Sequence, residues 1–358
     1  MSQQLLFDTP IDTGHKFPYK WTLKDAIFTK DKGKVFSCFA CGGGSTMGYK
    51  LAGFDVLGCN EIDPKMMACY IENHKPKYSY LEPIQTFKLR KDLPVELYGL
   101  DILDGSPPCS SFSVAGNRES DWGKEKKFKE GQSLQILDTL FFDFIDLVAE
   151  LQPKVAVAEN VKGLLMGGAR KYLKKIYKAF DAIGYTCQCH LLDAANMGIP
   201  QKRERVFFIC MRKDLAKEQM PKLDLRFSEP QIPYKNIENK IVGPHKLMPC
   251  VDKLFDLVKP GEQFSEAHPK KQMFGYNKTH PDRVLYTITA HLGGSGSYNH
   301  NTRRLLSKDE LQLAGSFPLD YEFLEMKPRY LIGMSVPPVM TAQIATRVYE
   351  QWLKPLQI

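Results

Sequence analysis

Between Lys34 and Met211 short apolar runs alternate with amphipathic stretches, and this alternation limits the chain to one class of fold. The apolar runs are Val35–Phe39, Phe54–Cys59, Leu100–Asp104, Val155–Ala158, Thr186–Leu192 and Val206–Met211, all of strand length. Met47–Ala52, Pro64–Asn73, Gln132–Leu151 and Ala169–Ile183 space their apolar residues as helices do. Strand and helix repeated in turn predict an α/β fold, a parallel sheet with helices on both faces. The chain has 358 residues, which suits a main domain plus a smaller one. Its 43% hydrophobic and 25% charged residues are ordinary for a globular protein and allow a sizeable core.

After Met211 the character changes. Residues 212–301 are rich in Pro, Lys, His and Gln and weakly periodic, and hold five of the eight histidines: His245, His268, His280, His291 and His300. This predicts a second, less regular domain. Regular structure returns from Arg303, with a helix over Ser307–Gly315 and a longer one over Pro338–Leu353 behind a Pro-Pro start. The expected division is an extension over 1–33, a main domain over 34–211, an irregular domain over 212–301, and a segment over 302–358 that completes the main domain.

No apolar run reaches the roughly 18 residues of a membrane span. Met1–Lys34 is polar and lacks a signal-peptide core, so a cytoplasmic protein without membrane attachment is expected. Nine scattered cysteines do not form a disulfide framework. Cys38 and Cys41 make one isolated CxxC, and Cys187 and Cys189 are too close for a zinc pair, so no metal is expected. A net charge of +8 permits a polyanionic partner without requiring one.

Several segments carry chemistry. Phe39-Ala40-Cys41-Gly42-Gly43-Gly44 follows a strand and opens a helix, where glycines let a ligand approach free backbone N–H groups. Glu61 ends the next strand, about 20 residues on, the placement of a carboxylate that holds ribose hydroxyls. Gly42, Gly44 and Gly48 give GxGxxxG, one residue longer than the dinucleotide fingerprint, which disfavours a nicotinamide oxidoreductase. Next, Asp104-Gly105-Ser106-Pro107-Pro108-Cys109 leaves a strand's carboxyl end, where open α/β sheets hold ligands. The small polar neighbours of Cys109 argue against a core thiol. Finally, Glu159 tips an apolar strand, where desolvation raises a carboxyl pKa. Arg203 and Arg205 alternate into another strand, so both are expected on one face as cations for phosphate or carboxylate. For each segment a plain turn, cap or solvated surface is the competing reading.

Together these segments resemble the cytosine-C5 DNA methyltransferases, especially the modification enzymes of bacterial restriction systems, from about Val35 to Leu353 and in the family's order. Phe39–Gly48 resembles the S-adenosylmethionine loop, Pro108-Cys109 the Pro-Cys nucleophile, and Thr139–Asp143 the helix after the catalytic loop. Glu159-Asn160-Val161 and Gln201-Lys202-Arg203-Glu204-Arg205 match the Glu-Asn-Val and Gln-x-Arg-x-Arg signatures. Arg304-Leu305, Glu310 and Gly315–Pro318 resemble the segment after the recognition domain, and Gly333–Pro338 the terminal Gly-Asn-x-Val-Pro-Pro. Departures are Ser37 where the family usually has Asp, Cys41 where it has Gly, Ser110 where it has Gln, and Met334 where it has Asn.

The resemblance implies a methyltransferase Rossmann-like sheet with a target-recognition domain over 212–301. It implies S-adenosylmethionine bound by Phe39, Ala40, Cys41, Gly42, Gly43, Gly44, Glu61, Ile62, Glu82, Pro108, Leu140, Met334 and Ser335. Phe39 would stack on the adenine. The implied catalytic set is Cys109, Glu159, Arg203 and Arg205. Ser113, Arg118 and Thr287 would contact DNA, Arg118 from a mobile loop over Ser110–Gly131 that also carries Lys124, Lys126, Lys127 and Lys129. The implied partner is double-stranded DNA, met by a monomer, with a cognate restriction endonuclease acting on the same site without a stable complex. Methylation of a tRNA cytosine and a non-catalytic relative are the alternatives. The irregular basic segment 212–301 favours DNA, and the joint presence of Cys109, Glu159 and Arg205 favours catalysis.

Overall fold

The computed structural model describes residues 14–108, 139–166, 169–216, 221–290 and 295–357. Seven strands form one sheet: β1 (Lys34–Cys38), β2 (Asp55–Glu61), β3 (Tyr78–Leu81), β4 (Ile102–Gly105), β5 (Val155–Val161), β6 (Tyr185–Asp193) and β7 (Glu204–Arg212). Their order is β3-β2-β1-β4-β5-β7-β6. The first five are parallel, and β7 runs antiparallel to both of its neighbours. The sheet is therefore mixed, not parallel throughout as the alternation predicts. An apolar strand reads the same in either direction. What reverses β7 is the connection from Asp193 to Glu204, which carries no helix long enough for a crossover.

The two sheet faces are buried by period-two alternation along the strands. Phe36, Leu103, Ala156 and Phe208 pack under α3 (Ile84–Phe87), α4 (Leu140–Leu151) and α5 (Ala169–Ala182), meeting Phe87, Phe144, Leu147, Ile176 and Phe180. Their strand neighbours Val35, Ile102, Val155, Phe207 and Ile209 face the other way. They meet Tyr49 of α1 (Gly44–Leu51) and Val339, Ile344 and Val348 of a late helix described below. α2 (Pro64–His74) starts on Pro64, with the Asp63 side chain accepting from the Lys65 and Met66 amides. β3 escapes the sequence pattern because it is a four-residue edge strand, alternately half-buried and exposed, with no apolar run. α4 is described from Leu140, and the expected start at Gln132 lies outside the described residues.

Beyond β7 the described residues hold the one-turn helices α6 (Pro249–Asp252) and α7 (Phe264–Ala267) and a short parallel pair, β8 (Asn277–Lys278) with β9 (Ser297–Tyr298). Leu247, Val251, Phe255, Val258, Phe264 and Tyr298 form a core of their own there. Regular helices return as α8 (Lys308–Ala314), α9 (Pro328–Met334) and α10 (Pro338–Val348), the last continuing through a π turn over Tyr349–Leu353. α8 carries a capping box of Ser307 and Glu310. Glu310 is fully buried and bidentate to Arg304, at 2.6 and 2.8 Å. It also accepts from the Tyr234 hydroxyl and the Asn239 amide, so one carboxylate ties the irregular segment to α8. Tyr19 and Trp21 pack beside Phe317, Tyr321 and Leu331, and Trp21 Nε1 donates to Ser316 O at 2.9 Å. Among the described residues no helix is long and apolar enough to cross a membrane.

Candidate active site

The reversal of β7 assembles the site. Parallel strands send their carboxyl ends to one edge: β1 into the Phe39–Gly44 loop, β2 onto Glu61, β4 into Gly105–Pro108 and β5 onto Glu159–Val161. An antiparallel β7 brings its amino end to that same edge, with Arg205 opposite Val161. Arg205 Nε then lies 2.9 Å from Glu159 Oε1, and both side chains keep some exposure, 16% and 13%. Glu159 therefore meets a cation rather than an apolar shell. In a sheet parallel throughout, Arg205 would lie at the far edge. Next to this pair, Asn160 Nδ2 donates to Pro107 O at 3.2 Å and fixes the end of β5 against the Pro-Pro approach to position 109. Cys109, Ser113, Arg118 and the lysines of the same loop lie outside the described residues.

Arg203 stands close enough to Arg205 and Glu159 for their charges to act on it, but its own hydrogen bonds go elsewhere. It precedes β7, is 2% exposed, and donates to Ile288 O (3.1 Å), Gly333 O (3.0 Å) and Ser335 O (2.9 Å). Its two terminal nitrogens donate to three carbonyls from two distant segments, which makes it a tether between them. Thr287 is half-buried and donates to Lys202 O at 2.6 Å. Its neighbours follow the same path: Lys202 N donates to Leu285 O and Ile288 N to Gln201 Oε1. Residues 285–288 thus run beside the Gln-x-Arg-x-Arg segment. A groove of about 390 Å³ opens there, with Lys202, Lys278, His280, Arg283 and Tyr286 in its lining.

The glycine-rich loop is a tight left-handed turn. Phe39 (φ 51°), Cys41 (φ 48°) and Gly43 (φ 83°) all adopt positive φ. A non-glycine residue there costs about 1–2 kcal/mol, which explains why glycine suits the position of Cys41. Gly43 has a second reason: a Cβ would lie 2.1 Å from His74 Nε2. The loop rests on α2 through Gly42 O, which is 3.2 Å from His74 Nε2 and accepts the Tyr321 hydroxyl at 2.7 Å. Burial pushes His74 down to about 3, so the ring is neutral. On its other side Gly44 lies against Ser335 and Val336, with Met334 exposed beside them.

Glu61 is buried, and burial raises its pKa against the bonds it accepts. Oε1 takes the Ile62 and Asp63 amides and Oε2 the Cys41 amide at 2.7 Å. Two carboxylate oxygens have about four acceptor positions, so one remains for a ligand hydroxyl. α1 is capped by Gly43, with no side-chain cap and no acid in its first turn. Its free N–H groups suit a carboxylate. This donor set fits a ligand with a carboxylate at one end and a ribose at the other. Glu82 lies at the end of β3, its amide donating to Glu61 O, its carboxylate held by Arg90 and Thr86. Leu140 is 1% exposed and belongs to the core beneath α4.

Sequence reasoning passes over Asp104. It is fully buried and accepts from Ser45 Oγ (2.7 Å) and the Tyr49 hydroxyl (3.1 Å). Burial pushes its carboxyl up to about 6, against those hydrogen bonds. The signal was present: an acid within the apolar run Leu100–Asp104 needs an internal partner.

The model of the C-5 cytosine-specific DNA methylase family matches residues 33–350. The Type II methyltransferase M.FnuDI of Fusobacterium nucleatum is 35% identical over 182 residues, 51% of this chain and 48% of that protein. M1.HphI of Haemophilus parahaemolyticus is 28% identical over 336 residues, 87% of this chain and 85% of that protein. For M.FnuDI and for M.NgoPII of Neisseria gonorrhoeae the matched stretch spans about half the relative's length. Among solved structures, a mutant of Spodoptera frugiperda DNMT2 superposes with a TM-score of 0.62 at 16% identity, covering 88% of this chain and 99% of that one. Dnmt2 of S. pombe gives 0.61 at 15% identity, covering 91% and 99%. These structures share the fold, and the family match extends from β1 to the π turn after α10. The ordered motifs, the reversed β7 and this match agree: the chain belongs to the C-5 cytosine-specific DNA methylase family.

Proposed function

We propose that the chain transfers a methyl group from S-adenosylmethionine to C5 of a cytosine within a specific duplex DNA sequence, as the modification enzyme of a restriction system. The observation that carries this reading is the Glu159–Arg205 pair at the end of β5, where Asn160 bonds Pro107 on the approach to position 109. S-adenosylmethionine, when bound, supplies an electrophilic methyl group. The α1 N-terminus would take its carboxylate, Glu61 its ribose, and Phe39 its adenine.

Cytosine C5 is too electron-poor to take a methyl unaided. Addition of the Cys109 thiolate to C6 makes C5 nucleophilic. Glu159 donates a proton or strong hydrogen bond to N3 as the thiolate adds, and Arg205 holds Glu159 and the base in place. Loss of the C5 proton and elimination of Cys109 then restore the ring. A stacked duplex hides C6, so the base is flipped out. Residues 212–301, of which Leu247–Tyr298 carry a core of their own, read the sequence, and Thr287 lies close to the flipped nucleotide. The protein acts as a monomer, alongside an endonuclease that recognises the same site.

Several relatives bear the name Type II methyltransferase, which supports the restriction-system reading. The test is tritium transfer from labelled S-adenosylmethionine to duplex DNA and to tRNA in parallel. Label in DNA alone is expected. Label in tRNA alone, or in neither, overturns the proposal.

A further inference from the structure

We propose that Asp104 is a positioning residue, which as a carboxylate holds the cofactor loop in register with the strand that carries the nucleophile. This deepens the reading above and rests on it. Asp104 ends the apolar part of β4, five residues before Cys109 in sequence, so its backbone is continuous with the Gly105–Pro108 approach. Its side chain crosses to a different element. Ser45 and Tyr49, in the first two turns of α1, donate to its two oxygens. α1 opens at Gly43–Gly44, so one buried carboxylate joins the two loops that must deliver methyl donor and nucleophile to the same atom.

Neighbours from every packed element can be named. Ser37 of β1 is the register partner of Asp104, with Cys38 beside it. Tyr49 comes from α1, Tyr70 from α2, and Glu159 acts from β5. None of these is a cation. The hydroxyls alone stabilise the charge, and burial leaves the carboxyl at about 6. The acid therefore gains its proton within a mildly acidic range. Once neutral it is a poorer acceptor for Ser45 and Tyr49, and the start of α1 loosens. Ser37 and Asp104 stand at the same level of adjacent strands, so an acid at position 37 would place the same charge one strand over.

The test measures S-adenosylmethionine binding by calorimetry from pH 5.5 to 8.5, with kcat and KM on duplex DNA. It uses the wild type, Asp104→Asn, and the double variant Ser37→Asp with Asp104→Asn. At pH 8, Asp104→Asn should raise Kd about 10- to 100-fold, the worth of a charged hydrogen-bond acceptor. At saturating cofactor kcat should fall as well, by about 10-fold or more, because a lost register misplaces the methyl donor against the nucleophile. Wild-type Kd should rise as pH falls through 6, Asp104→Asn should lack that step and keep only the dependence of Glu61, and the double variant should regain most of the affinity. Thermal unfolding checks that each variant folds. If Asp104→Asn does not fold, Ser45→Ala removes one donor and should weaken binding several-fold with a flatter pH profile. A folded Asp104→Asn with wild-type affinity, or with the wild-type pH profile, overturns the proposal. A wild type that binds no S-adenosylmethionine overturns the functional reading itself, and is told apart by that result.

Discussion

Replacing Arg203 by methionine separates a tether from a catalytic cation. Methionine fills much of the volume but leaves Ile288 O, Gly333 O and Ser335 O without their donors. An unsatisfied buried acceptor costs about 1–3 kcal/mol. Three such losses are offset in part because a buried charge is removed, and burial already drives this guanidinium well below its ordinary pKa. A net loss of about 2–4 kcal/mol follows, or roughly 3–5 °C in Tm for a chain of 358 residues, since the unfolding entropy is about 2.1 cal/mol/K per residue. The assay is calorimetric unfolding of wild type and Arg203→Met, together with S-adenosylmethionine affinity, because Ser335 lines the cofactor loop. Arg203→Lys should fall nearly as far, since an ammonium cannot span three carbonyls in a planar fork. A fully stable Arg203→Met that loses DNA binding would refute the tether and restore the phosphate ligand.

Glu159→Gln should slow methylation by about 10²–10⁴-fold with cofactor affinity little changed, as for any positioned acid; single-turnover kinetics at saturating cofactor check this. Glu310→Gln should destabilise by about 3–5 kcal/mol, because it leaves Arg304 charged and unpaired in the interior. Burial pushes Glu310 up, but Arg304 and the surrounding donors hold it below the ordinary value of 4.5. Its stabilisation is therefore present above pH 4.5 and lost as acid is added below that, a trend that denaturant titrations of wild type should show and those of Glu310→Gln should lack. Exchanging residues 212–301 for those of a related enzyme should move the methylated site to the donor's, as read by bisulfite sequencing.

The sheet core was legible because Val35, Ile102 and Val155 sit in apolar runs that alternate faces regardless of what surrounds them. β3 was not, since an edge strand half in solvent needs no apolar run. The direction of β7 was not, because side-chain pattern carries no sense of polarity; yet that direction is what brings Arg205 to Glu159. The Gln-x-Arg-x-Arg spacing marked both arginines, while the fate of Arg203 was decided by carbonyls 85 and more residues away. Cys41 stood out only as a departure, and its left-handed backbone supplies the reason. Asp104 was visible as a letter in an apolar strand, but its partners Ser45 and Tyr49 come from a helix 55 to 59 residues earlier.

The central claim is covalent attack by Cys109 on a cytosine in DNA. Duplex DNA carrying 5-fluorocytosine in place of cytosine, incubated with the protein and S-adenosylmethionine, tests it most directly, because fluorine cannot leave as the C5 proton does. The account predicts a denaturation-resistant protein–DNA adduct that peptide mapping places on Cys109 and that Cys109→Ser does not form. An adduct on another residue, or methyl transfer at normal rates by Cys109→Ser, would contradict it.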